Sequence, residues 1–368
     1  MQLIAAQRHK DKVMTVSPFD HPYLSGLFGN ENVVQLFSAE NEIREMLNFE
    51  AALAAAEGKY GIIPAQAVDP IGNACCSLRM DWENLRDGTA ADGVVVPTLI
   101  RQLRSAVGAE FGEYVHFGAT SQDAIDTSLI LRLKKLFPIL VSSLNDIIGL
   151  MEQLDQKFGT NALMGRTRMQ RALPVTASQR FASWSSPLAK HLESLNQLAP
   201  NLLQVQFGGA VGNLNKLGDK GLLIKEELAN ILGIESKKTS WHTDRHTLAD
   251  FSNWLSMVSG SLGKMGQDVV LMAQNEIGEI TLKDGGGSSA MPHKQNPVQG
   301  EVLVTLSRFN AVQISAMHQA LIHENERSGS SWSLEWMILP QMVMATAASL
   351  KTASALLSNI QEVGTGKN

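Results

Sequence analysis

The chain has 368 residues and a mass of 40.0 kDa, with 44% hydrophobic and 18% charged residues. That balance excludes an intrinsically disordered chain and predicts two or three domains at roughly 100–200 residues each. Thirty-one Lys and Arg against thirty-six Asp and Glu give a formal charge of −5, which speaks against a general nucleic-acid binder; an anionic ligand would need locally gathered cations.

The only two cysteines, Cys75 and Cys76, are neighbours, so neither a disulfide framework nor a structural zinc site is expected. Met1 to Lys12 mixes Arg8, His9, Lys10, Asp11 and Lys12 with a short apolar patch and lacks the apolar centre of a signal peptide. No run of eighteen apolar residues occurs. A reduced, cytoplasmic protein without membrane contact is the expectation.

From the amino end, short helical patterns come first. Ile43 to Lys59 repeats apolar residues at Met46, Leu47, Phe49, Ala52, Leu53 and Ala56, and Gly61, Pro64 and Pro70 break the pattern beyond Lys59. Strand signals are sparse; Val94 to Pro97 is the best short run. These features predict a helical N-terminal domain over residues 1–110.

Three long stripes come next. Leu129, Leu133, Leu136, Leu140, Leu144, Ile147, Met151 and Leu154 advance in steps of three and four, with Pro138 inside to bend the helix or remove one backbone bond. Phe181, Trp184, Leu188, Leu192, Leu195, Leu198 and Leu202 form the second, with Pro200 inside. Leu248, Phe251, Leu255, Val258, Leu262, Met265, Val269 and Met272 form the third, and apolar, Ala-rich stretches run from Val302 to Ile322 and from Trp336 to Ile360. Several helices this long predict an all-α, long-helix bundle over residues 111–360, with faces covered by chain neighbours or by other subunits, and a stub at 361–368.

Between the stripes lie polar segments. Asp284-Gly285-Gly286-Gly287-Ser288-Ser289 continues through Lys294 and Asn296 to Pro297, a favoured first position for a helix. Glycine-rich backbone can close over an anion, although the same composition also suits an ordinary turn. His116 to Asp123 places Thr120, Ser121 and Asp123 at a helix start, where they cap the helix or bind a carboxylate with His116. Gly165 to Thr176 carries Arg166, Arg168 and Arg171, either a solvated face or a clamp for a polyanionic small molecule. Trp241 to His246 and Glu326 to Trp332 are smaller candidates.

Together these segments resemble the fumarase/aspartase superfamily: Gly287 to Pro297 is similar to its signature loop, His116 to Asp123 and Gly165 to Thr176 to its first two characteristic regions, and Gln274 to Glu279 to the lead into the loop. Within it, Trp241-His242-Thr243 with Arg245, Glu326-Arg327, Trp332 to Trp336, Leu339-Pro340, Met46 to Ala54 and Gly93 to Pro97 resemble the cycloisomerases of 3-carboxy-cis,cis-muconate. Arg168 stands where the superfamily's lyases usually have His, which argues against adenylosuccinate and argininosuccinate lyase activity. The family's C-terminal helical domain is expected to be missing or reduced.

The resemblance implies an intramolecular addition of a carboxylate across a conjugated double bond, through a carbanion delocalised into a second carboxylate. Ser288 would move the proton on the adjacent carbon, helped by Lys294. Lys294 and Asn296 would hold the carboxylate, with His116, Thr120, Ser121 and Gln170 lining the pocket and Arg166, Arg245 and Arg327 meeting the trianion. No metal or organic cofactor is required, because the nucleophile is already part of the substrate. The resemblance also implies a homotetramer with sites shared between subunits. A fumarate-releasing lyase and a non-catalytic helical oligomer are the other readings.

Overall fold

The computed structural model describes residues 15–287, 290–291 and 294–364. Short helices at Ser25–Phe28 and Glu31–Leu36 precede α1, Ala39–Lys59. Ser38 caps α1 by accepting the Asn41 N–H at 3.3 Å. Then come α2 (Val68–Ser77), α3 (Trp82–Asp92) and α4 (Val96–Val107). Asp81 starts α3 by accepting the Asn84 N–H at 3.0 Å, and Gly93 ends it in the left-handed region at φ 72°. The expected strand signal at Val94 to Pro97 is instead a bend at Val94 and Val95 followed by the start of α4, because Pro97 occupies the first helical turn, where its missing N–H is not needed. Both cysteines, on α2, are free thiols.

The long helices are α5 (Ser121–Phe158), α6 (Ala177–Leu202), α8 (His246–Met272), α9 (Val298–Gln319) and α10 (Ser330–Ser358), with α7 (Gly221–Leu232) between α6 and α8. Helix α5 continues through Pro138 as one element. Its stripe is buried from Leu133 to Leu154, and the α8 stripe is buried at all eight predicted positions. These faces meet in one core with Phe181, Trp184, Leu339 and Leu356. At Gly266 and Gly300 the helices α8 and α9 come so close that a Cβ on Gly266 would stand 2.7 Å from the Gly300 carbonyl oxygen. A polar knot fixes the register nearby: Asn310 Nδ2 donates to Ser259 Oγ at 2.7 Å and to Thr346 Oγ1 at 2.9 Å.

A second core gathers Phe49, Leu53, Ile71, Leu99 and Leu103 with Val205, Phe207, Ile224, Leu228 and Trp332. Two small antiparallel pairs complete the described residues. Strands β1 (Ala162–Thr167) and β2 (Gln170–Thr176) form a hairpin, and β3 (Ile280–Leu282) pairs with β4 (Ile360–Val363). No helix among the described residues is long and apolar enough to cross a membrane.

Candidate active site

At the amino end of α5, Asp123 organises a dense polar knot. One carboxylate oxygen accepts the Gly208 N–H at 2.9 Å and faces His242 Nε2 at 2.7 Å; the other accepts from Gly209 at 2.9 Å and Thr120 at 3.0 Å. Asp123 thus reaches back to its own cap and ties a glycine-rich loop to the helix start. Gln122 extends the knot, accepting Arg327 Nε at 3.0 Å and donating to the His242 carbonyl at 2.9 Å. Arg327 also donates to the Ala210 carbonyl at 3.2 Å, while the residue as a whole is exposed.

His116 stands beside this knot. It has φ 61°, a left-handed conformation that costs an L-residue about 1–2 kcal/mol. Its Nδ1 lies 2.6 Å from Glu50 Oε1 on buried α1. Burial alone would lower the imidazole pKa, but the Glu50 carboxylate beside it outweighs that and holds the ring above the ordinary histidine range. Burial pushes Glu57, two turns along α1, up to about 9, with Glu50 adding to the shift. Lys225 is likewise brought down to about 8 by burial, partly offset by Asp123.

Arg245 is placed differently from the expectation that it meets a substrate. It is buried, with Nη1 2.6 Å from Asp126 and Nε 2.9 Å from Glu335. A further pair of bonds from Nη2, 3.1 Å to Asp126 and 2.5 Å to Glu335, makes both contacts bidentate. Burial would lower its pKa, but the two carboxylates overcome this and raise it. In the chain as described, Arg245 braces α5 against α10 from behind the His116 end and presents no donor to solvent.

The arginine-rich segment is the β1–β2 hairpin rather than a loop. Its central turn residues, Arg168 and Met169, have φ 50° and 67°. Two-residue hairpin turns of this hand favour Asn-Gly, so Arg-Met gives no turn signal. The turn and most of β2, including Gln170, are exposed. Arg166 is half-buried and donates to Glu279 at 2.7 Å, while Glu279 also accepts the Met164 N–H at 3.0 Å. Glu279 therefore ties the hairpin to the segment leading into β3 and the glycine-rich loop.

The stem of that loop is closed by mutual backbone bonds between Gly286 and Asn296, at 2.8 and 2.9 Å. Asn359 grips it from the end of α10: its Oδ1 accepts the Asp284 N–H at 2.8 Å and its Nδ2 donates to the Asp284 carbonyl at 2.5 Å. Lys294 is exposed and Asn296 half-buried. Ser288 lies outside the described residues.

Apart from Ser288, each predicted residue therefore falls at one of two ends. His116, Thr120, Ser121, Arg327 and, behind them, Arg245 gather at the start of α5. Arg166, Gln170, Lys294 and Asn296 gather past its finish, because the hairpin begins four residues after Phe158. A 38-residue helix spans about 57 Å at 1.5 Å per residue. One chain does not bring the two groups together. Glu50, Gln122 and His242 lie within segments that carry the resemblance, yet none is a predicted site residue; their packing makes them part of the His116 end. Asp123 was legible as a capping acid.

A family model described as Lyase matches residues 20–312. The 3-carboxy-cis,cis-muconate cycloisomerase of Pseudomonas aeruginosa is 39% identical over 332 residues, 89% of this chain and 72% of that one. The chain belongs to the fumarase/aspartase superfamily of lyases. Among solved superfamily structures, the 3-carboxy-cis,cis-muconate lactonizing enzyme of Pseudomonas putida superposes with a TM-score of 0.88 at 35% identity, over 92% of this chain and 77% of that one. The fumarate lyase of Mesorhizobium sp. BNC1 gives 0.85 at 32% identity, over 91% and 76%. The all-α, long-helix expectation is thus met both by the described helices and by these superfamily neighbours.

Proposed function

We propose that the chain is a 3-carboxy-cis,cis-muconate cycloisomerase, closing its substrate to 4-carboxymuconolactone (γ-carboxymuconolactone) in the protocatechuate branch of β-ketoadipate aromatic catabolism. The observation that carries this reading over a fumarate-releasing lyase is Arg168. It occupies the exposed hairpin turn where the superfamily's lyases usually present a histidine to the leaving group. A lactonization expels no group, so it does not need that acid. The likeness to the Pseudomonas aeruginosa cycloisomerase supports the same choice.

In the forward direction one substrate carboxylate oxygen attacks the conjugated double bond and forms the C–O bond of the lactone. The displaced π electrons pass into the neighbouring carboxylate as an enolate-like dianion, which is then protonated on carbon. One proton is taken up and no group leaves. Negative charge on the accepting carboxylate is the main obstacle, and each well-placed donor lowers it by about 3–4 kcal/mol. Lys294, Asn296, Arg166 and Gln170 are the donors of one end, with Ser288 carrying the proton. His116, Thr120, Ser121 and Arg327 are those of the other.

The distance between the two ends favours an assembly in which different copies complete one site. We infer a homotetramer with the long helices at its centre; the exposed Met257 on α8, Val312 on α9 and Met337 on α10 suit such a contact. Free Cys75 and Cys76 suit a reducing, cytoplasmic setting.

Incubation with 3-carboxy-cis,cis-muconate, followed by ultraviolet absorbance and identification of the lactone, tests the activity. Lactone formation is expected. Cleavage of adenylosuccinate with no lactone formed would replace this reading with the lyase one. Sedimentation tests the assembly: a stable monomer at micromolar concentration contradicts it.

A further inference from the structure

The pairing of His116 with Glu50 has no part in the substrate contacts above. Helix α1 lies behind the site, and Glu50 is a buried carboxylate on the face it turns inward. Its Oε1 faces His116 Nδ1 at 2.6 Å, and its Oε2 has no hydrogen-bond partner among the described residues. A bond on Nδ1 leaves Nε2 on the far side of the ring, and His116 retains 13% side-chain exposure while Glu50 retains 1%. The ring is therefore gripped from the interior and open on the other edge.

Resting on the cycloisomerase reading, we propose that Glu50 is a positioning residue: it fixes the His116 ring through Nδ1 so that Nε2–H is presented to a carboxylate of the substrate. The left-handed backbone of His116 is a conformation that its surroundings must hold in place, and the Glu50 bond fixes the ring on it directly. The same carboxylate decides the charge. The groups facing His116 are Glu50 from α1, Asp123 from the first turn of α5, and Arg104 from α4, whose guanidinium also donates to the Val115 carbonyl at 3.0 Å. Glu50 and Asp123 favour the imidazolium; Arg104 and burial oppose it, and the carboxylates prevail. A cationic donor suits a trianion better than a neutral one.

Glu57 sharpens the assignment. It lies seven residues from Glu50 on the same helix, and both its oxygens lack partners among the described residues. Held protonated by burial, Glu57 adds no charge beside Glu50, which is the member of the pair that faces the imidazole.

The test uses the full chain with histidine labelled by carbon-13 at Cε1, the His116 signal being assigned by its loss in His116→Gln. In the unaltered protein His116 is expected to titrate above the ordinary histidine value of about 6.5. Glu50→Gln is expected to lower that midpoint by about one pH unit or more. The alkaline limb of kcat/KM for 3-carboxy-cis,cis-muconate is expected to move down with it, because activity is lost as pH rises through the imidazolium pKa. An ordinary or lowered midpoint in the unaltered protein overturns the proposal. So does a limb that stays in place while the midpoint moves. If Glu50→Gln does not fold, Glu50→Asp keeps the charge but withdraws it: the limb is expected to stay and KM to rise, and an unchanged KM counts against positioning. A chain that makes no lactone refutes the cycloisomerase reading, while the titration still decides the pairing.

Discussion

At the amino end of α5, Asp123 takes four donors and is buried, and Gln122, His242 and Arg327 lock around it. Beyond the carboxyl end, Arg168, Gln170 and Lys294 are exposed, and a few bonds from Glu279 and Asn359 hold the hairpin and the loop stem. The first region is completed by its own chain. The second offers charge and hydrogen-bond donors outward, with its anchoring concentrated at the base. The contrast teaches that a chain can preorganise half of a site and leave the other half accessible for a loop to close or a neighbour to cover.

Breaking the glycine-rich loop costs most in catalysis. Ser288→Ala is expected to lower kcat by roughly 10²–10⁴-fold, the range for loss of a positioned proton-transfer group, with helicity and assembly unchanged; steady-state kinetics beside circular dichroism and sedimentation check this. Breaking the packed half costs most in stability. Arg245→Met leaves Asp126 and Glu335 buried without their shared cation, and denaturant unfolding is expected to show a loss of about 3–5 kcal/mol.

Glu57 gives a smaller effect with a distinctive pH dependence. Its folded pKa lies near 9 and its unfolded value near 4.5, so the folded chain holds a proton that the unfolded chain releases between those values. Stability is therefore lost as pH rises through that window. Glu57→Gln is expected to match the unaltered protein near pH 4 and to exceed it by on the order of 3 kcal/mol at pH 7. Thermal unfolding across pH reads the widening gap; a constant gap contradicts the assignment. The smallest effect belongs to the hairpin. Met169→Gly relieves a left-handed residue and is expected to stabilise the chain by about 0.5–1 kcal/mol after the entropy of glycine is set against the relief.

The long helices were legible because burial repeats at the helical period: Leu133 to Leu154 and Leu248 to Met272 are buried where the stripes put them. The capping acid Asp123 was legible for the same local reason. The hairpin was not, because Arg168-Met169 lacks the glycine or asparagine that normally marks such a turn, and long-range support from Glu279 stands in for local preference. Glu50 and Glu57 were equally hidden. A carboxylate within an apolar helical pattern reads as a solvated point, and only the packing of His116 against α1 gives Glu50 a role. Arg245 carried the opposite ambiguity, since an arginine suited to a trianion is equally suited to two buried carboxylates.

Mixing two variants, one altered at His116 and one in the glycine-rich loop, tests most directly whether the site is shared between copies. His116→Gln and Ser288→Ala are each expected to be nearly inactive toward 3-carboxy-cis,cis-muconate. After joint unfolding and refolding in equal amounts, lactone formation is expected to return to about a quarter of the unaltered rate, because about one site in four draws both intact residues from different copies. A mixture no more active than its two components, with mixed assemblies demonstrated by mass spectrometry, contradicts the shared site.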